Sequence, residues 1–145
     1  MIRRILLVAF ALVLPAQAQE QNKLQERKDV VSWNLLAQVE LVKMKDRYVP
    51  QFSSDVAALD QKVVKLQGFI VPLAMGDGQT HFILSAMPIT CPFCVPAGAE
   101  SLVEVKSKKP VRFTFEPVIV RGKLAVLRDD PLGVFYRIVD AEEAN

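Results

Sequence analysis

Apolar and polar residues alternate along much of this chain, and the alternation reads as short β-strands. The clearest is residues 63–73, where Val64, Leu66, Gly68 and Ile70 share one face and Lys65 and Gln67 take the other. Gly76-Asp77-Gly78 is a turn signal. Residues 80–86 read as the returning strand, with Phe82 and Leu84 inward and His81 and Ser85 outward. Residues 102–105 form a predicted third strand, 106–110 a charged turn, and 111–120 a fourth strand that Pro117 interrupts. Phe113 and Phe115 alternate on that strand and are expected in the core. Gly122 and Lys123 mark a turn or bulge before an apolar run at 124–127. Residues 129–133 are a further turn, 134–139 a last strand and 140–145 a polar tail.

Nearer the N-terminus the period lengthens. Ser32 is positioned to cap a short helix with Trp33, Leu36 and Ala37 on one face. Ser53 caps a second helical turn that buries Val56 and Leu59. Residues 39–43 show no clear period, and 48–52 read as extended. Short strands separated by turn signals, with almost no helix, predict a mostly β fold. That pattern fits a small antiparallel barrel or sandwich. Gly68 and Gly122 sit where an OB-type barrel bends its strands, and the expected architecture is a five- to six-stranded OB-like antiparallel barrel with one or two short N-terminal helices. Gly68 inside a strand signals a bulge or bend of the kind that small barrels use at corners.

The first residues change the picture of where this fold works. Arg3 and Arg4 precede an apolar run of ten residues at 5–14, too short to span a bilayer, and Ala16-Gln17-Ala18 is a small-residue cleavage site. No cysteine follows that site, so the signal is not of the lipoprotein type. The expected organisation is a signal peptide at 1–18, a flexible N-terminus at 19–29, a single OB-like domain at 30–140 and a tail at 141–145. No later apolar run approaches the length of a membrane span, so no membrane anchor is expected after cleavage. The short signal is bacterial in form, and the expected compartment is the periplasm. Losing Arg3 and Arg4 takes the formal net charge from +2 to zero. With no Lys/Arg cluster interleaved with aromatics, nucleic acid is not an expected partner.

The candidate chemistry is concentrated in Thr90-Cys91-Pro92-Phe93-Cys94-Val95-Pro96-Ala97-Gly98, which holds both cysteines. Pro92, Phe93, Pro96 and Gly98 are the loop-shaping residues, since each proline fixes its own φ and restricts the residue before it. Three chemistries remain open for Cys91 and Cys94. As thiolates they supply half of a tetrahedral zinc site, with His81, the only histidine, as candidate third ligand. Glu100 and Glu104 are the nearest carboxylates that could complete such a site. As a structural disulfide the pair closes a tight loop in an exported protein. As a redox pair, Cys91 attacks and Cys94 resolves, but Pro96 and Gly98 follow where a thioredoxin-like enzyme needs a helix. Other sites fare worse. No G-x-S-x-G elbow accompanies the serines. Asp129-Asp130 reads as a solvated turn rather than a calcium loop. Met44, Met75 and Met87 are scattered.

Residues 59–64 leading into Gly68-Phe69-Ile70-Val71-Pro72-Leu73, then Phe82-Ile83-Leu84, the Cys91-Pro92-Phe93-Cys94 loop and residues 118–124, together resemble a family of small exported bacterial proteins of unknown function. The similarity runs from about Trp33 to the C-terminus. It implies an OB-like barrel and a periplasmic location. It also implies a non-enzymatic accessory or binding role beside ABC transporters of the lipoprotein-export type, some of them in zinc-responsive gene sets. An ABC transporter or its periplasmic component is the partner implied. Two departures are loop substitutions: Gln61 stands where the family usually has glycine, and Ala99 where proline usually follows Gly98.

Overall fold

Ser32 and Ser53 do what their positions predict. The Ser32 side chain accepts from the Asn34 N–H at 3.2 Å and starts α1 (Trp33–Leu36). The Ser53 side chain accepts from the Val56 N–H at 3.2 Å and starts α2 (Ser54–Ala57). The computed structural model describes residues 24, 25, 27–88 and 98–145. The signal segment at 1–18, Cys91, Cys94, Pro92, Phe93 and Pro96 lie outside the described residues.

Between the helices, β1 (Val39–Met44) and β2 (Arg47–Phe52) form a two-stranded antiparallel hairpin. It occupies the stretch that had no readable period, because its middle carries apolar residues on both faces. Lys45 turns it at φ +55.

The remaining strands close into a barrel: β3 (Val63–Pro72), β4 (Gly78–Ser85), β5 (Leu102–Arg112), β6 (Val118–Val126) and β7 (Tyr136–Ala144). The order around the barrel is β3-β4-β5-β7-β6, with β6 returning to β3. This is an OB-like, five-stranded Greek-key barrel. It is mixed: β5 and β7 run parallel, while the other neighbours pair antiparallel. Inward positions alternate along each strand. Phe82, Leu84, Val103, Val105, Val120 and Ile138 are wholly buried, and each such side chain contributes roughly 1.5–3 kcal/mol of burial. The helices close one end, where Leu36 and Val56 are wholly buried. There the Tyr136 hydroxyl donates to the Leu36 carbonyl at 2.5 Å, and Phe52 stacks against Tyr136 with ring centres 5.6 Å apart. Burial, with the Glu100 charge nearby, pushes the Tyr136 phenol well above its ordinary value. Among the described residues no helix is long and apolar enough to cross a membrane.

Three strand limits differ from the expected ones. Residues 106–110 are not a turn between strands but part of β5, which absorbs them in a bulge. The register jumps from Gln79↔Val111 to His81↔Lys106, so residues 107–110 oppose Thr80 alone. The Ser107 hydroxyl ties the bulge by donating to the Lys109 carbonyl at 2.7 Å. The expected fourth strand is therefore split: 111–112 close β5, and 118–120 open β6 just after Pro117. Phe113 and Phe115 sit in the connection between them, their rings edge to face at 5.2 Å, and Phe115 is exposed rather than core. Lastly, β7 continues through the expected tail to Ala144: Asp140 takes φ +52, and the strand resumes with Ala141 wholly buried opposite Ser107.

Gly68 and Gly122 each allow a close approach. A Cβ on Gly68 would lie 2.7 Å from the Ser85 carbonyl, and one on Gly122 would lie 2.8 Å from the Val139 carbonyl.

Candidate functional site

With Phe82 and Val105 committed to the barrel interior, the alternation of β4 and β5 sends His81, Glu104 and Lys106 to the outer face. Glu104 lies opposite Ile83 on one side and Arg137 on the other, while His81 lies opposite Lys106 one step along. These outward positions converge on one carboxylate. Glu104 Oε1 lies 2.8 Å from His81 Nε2 and 3.7 Å from Lys106 Nζ. Arg137 Nε donates to Glu104 Oε2. Arg137 Nη2 donates in turn to Asp130 Oδ2 at 3.1 Å, from the turn between β6 and β7.

The Glu104 side chain is only 7% exposed although it faces outward, whereas His81 is 51% exposed. Burial alone would raise the Glu104 carboxyl, but hydrogen bonds from Arg137 and His81, with the charges of Arg137 and Lys106, outweigh it and hold the group below its ordinary value. Asp130 behaves likewise. Burial works against its charge, yet the Leu132 N–H, 2.9 Å from Oδ1, and the Arg137 guanidinium keep it low. The Arg137 guanidinium is held above its ordinary value, first by its hydrogen bond to Glu104. The result is a charge-assisted chain, Asp130–Arg137–Glu104–His81, that crosses from β7 to β4 and ends in a half-exposed imidazole.

The described ends of the cysteine loop lie at the Ser85 and Leu102 ends of β4 and β5, the strands that carry this face. Pro88 and Gly98 bound it, beyond the ends of β4 and β5. The Ala86 N–H donates to the Ser101 carbonyl at 3.1 Å. The Ser101 hydroxyl donates to the Gly98 carbonyl at 2.7 Å, and the Met87 N–H to the Ser85 hydroxyl at 3.1 Å. Gly98 takes φ +156, a backbone conformation that L side chains rarely adopt, and the Glu100 carboxylate lies over it. From Gly98 the chain passes through a single 3₁₀ turn (Ala99–Ser101) straight into β5. Among the described residues from Gly98 to the start of β5 there is no α-helix of the kind that lowers a thioredoxin-type thiol. A groove of about 690 Å³ opens against Pro88, lined by Val31, Trp33, Asn34, Gln67 and Met87. The Trp33 indole donates to the Gln67 carbonyl at 2.7 Å on its wall.

Of the predicted site residues, His81 is thus placed on the strand that leads into the loop, and Gly98 at the loop's far end. Glu104 is placed next to His81, but bonded to it and to Arg137. Glu100 lies with Gly98, apart from that pair. Among the described residues no group of three or more His, Cys, Asp or Glu side chains is set to hold a metal ion. Sequence reasoning missed Arg137 and took Asp130 for a solvated turn residue. Its neighbour Asp129 fits that description, 65% exposed and paired with Arg47. The available signal was Arg137 between the apolar Tyr136 and Ile138, which marks an outward strand position without naming its partner.

The barrel and its outward charge chain define a small β protein of OB-like type. The model of a family described as proteins of unknown function, DUF3299, matches residues 11–135, and the chain belongs to that family. A crystal structure of a DUF3299 family protein from Pseudomonas aeruginosa PAO1 is similar. It shares 26% identity, over 66% of this chain and 68% of that one, with a TM-score of 0.49. No curated protein matches the chain.

Proposed function

We propose that this chain is a periplasmic, non-enzymatic accessory or binding protein that holds zinc through Cys91 and Cys94, with His81 as third ligand, in the service of an ABC transport system. The observation that carries the reading is the His81 ring. One nitrogen is taken by Glu104, and the ring stands half-exposed on the strand that runs into the cysteine loop. Metal-ligating histidines have this arrangement, one nitrogen on a carboxylate and the other on the metal. Along the strand His81 is about 13 Å from Ser85, at roughly 3.3 Å per residue. Cys91 is three residues from Pro88 and Cys94 four from Gly98, reaches of roughly 10 and 13 Å for extended chain. Pro88 stands three residues beyond Ser85, so a shared site requires the loop to fold back along the outer face toward His81. Softness favours the same metals, because thiolate and imidazole donors together suit zinc.

Cobalt(II) substitution of the reduced, processed protein tests this. The proposal expects an intense thiolate-to-metal absorption band with tetrahedral ligand-field bands. Cys91→Ser and Cys94→Ser should each abolish or strongly weaken the former, and His81→Asn should shift the latter. A protein that develops no thiolate band, and whose cysteines form a disulfide in air, is instead a binding module with a structural bridge. Catalytic turnover of a dithiol substrate, lost in Cys91→Ser, would make it a thiol–disulfide protein.

A further inference from the structure

We infer that Glu104 is a positioning residue for His81: it accepts a hydrogen bond from Nε2–H and so turns Nδ1 to be the nitrogen that meets a ligand, while Arg137 and Asp130 hold Glu104 in place. The inference rests on the proposed metal reading only for what Nδ1 meets.

The donor assignment follows from the carboxylate. Arg137 donates to Oε2, and Lys106 adds a second positive charge at 3.7 Å from Oε1. Glu104 is thereby kept ionised despite its burial, and an ionised carboxylate only accepts. At the 2.8 Å contact His81 Nε2 must therefore be the donor. A neutral imidazole protonated on Nε2 has its lone pair on Nδ1. Among the described residues no hydrogen-bond donor or acceptor meets Nδ1. Glu104 itself is ill suited to ligate, since one oxygen is committed to Arg137 and the other to His81. The carboxylate considered from sequence as a direct ligand is thus assigned to hold the ligand.

The construction exceeds what an ordinary outward-facing ion pair requires. Glu104 and Asp130 are 7% and 8% exposed, and Arg137 bridges them at 22%. Three strands and one turn supply the four groups. Their two acidic charges are matched by Arg137 and Lys106. What the chain adds beyond balance is a fixed ring orientation at the one histidine.

Because His81 is the only histidine, nitrogen-15 spectra of the metal-free processed protein report on it without assignment. The inference expects Nε2 protonated, with slowed proton exchange. Added zinc should shift Nδ1 and spare Nε2. Glu104→Gln should return Nε2–H exchange to the rate of an exposed imidazole. It should weaken zinc binding about 10–100-fold, the usual effect of losing such a carboxylate, with a comparable loss in His81→Asn. An Nε2 that carries no proton, or zinc perturbing Nε2, overturns the inference. So does a Glu104→Gln protein that binds zinc as tightly as wild type while His81→Asn does not. If wild type binds no zinc but Nε2–H is protected, the metal reading fails and the positioning role stands. If Glu104→Gln does not fold, the wild-type spectra decide.

Discussion

Replacing Arg137 by methionine keeps most of the side chain's apolar stem and removes both of its charged hydrogen bonds, to Glu104 and Asp130. Glu104 is then left 7% exposed with only His81 and Lys106 beside it. Breaking a buried pair by deleting one partner costs about 3–5 kcal/mol. The two remaining partners and the partial exposure of Arg137 bring the expectation to about 2–4 kcal/mol at pH 7. The sign of the pH dependence follows from the depressed Glu104 carboxyl. Its contribution is complete above the ordinary carboxylate value of 4.5 and is lost as pH falls through its lower folded value. In the variant, burial prevails and the carboxyl moves up, so the variant already protonates Glu104 where wild type does not. The gap between the two proteins should be widest near pH 7 and narrow steadily on acidification. Urea unfolding followed by circular dichroism measures it. With slopes of about 1–3 kcal/mol per molar, the midpoint should fall by about 1 M or more at neutral pH. A loss below about 0.5 kcal/mol, unchanged between pH 7 and pH 4, would refute the reasoning and reduce the chain of charges to an ordinary surface pair.

Other substitutions probe the scaffold. Arg47→Ala removes an exposed pair whose members are 64% and 65% exposed, and its unfolding midpoint should move by less than the equivalent of about 1 kcal/mol. Tyr136→Phe leaves the Leu36 carbonyl without its buried donor; thermal unfolding should show a loss of about 1–3 kcal/mol. Gly122→Ala drives a Cβ to 2.5 Å from Ile138 Cγ2 and 2.8 Å from the Val139 carbonyl. Since backbone cannot yield as a side-chain tip does, chemical denaturation should show at least about 1–3 kcal/mol lost.

What the sequence revealed is what local pattern controls. The alternation in β3 and β4 and the two serine caps each follow from a few adjacent residues. Counting strands leaves barrel and sandwich both open, and the choice of the barrel rests on Gly68, Gly122 and the family resemblance. The parallel β5–β7 pair was not legible, because pairing partners are set by topology rather than by neighbours in sequence. The charged stretch 106–110 was misread because a bulge lets polar residues stay within a strand while its ladder is interrupted. The same limit applies at the site. His81 stood out as the lone histidine and Glu104 as a nearby carboxylate, but their contact joins residues 23 apart, and Arg137 enters from 33 residues further on. That the carboxylate orients the histidine depends on which oxygen meets which donor, which only three-dimensional placement supplies.

The central claim is that Cys91 and Cys94 are metal-bound thiolates. The most direct test is intact-mass spectrometry of the processed protein taken from periplasm, native and denatured, with and without a thiol-alkylating reagent. The account predicts a native species heavier by one zinc ion, with both cysteines alkylated only after chelation. A metal-free chain lighter by two hydrogens, inert to alkylation until reduced, would contradict it.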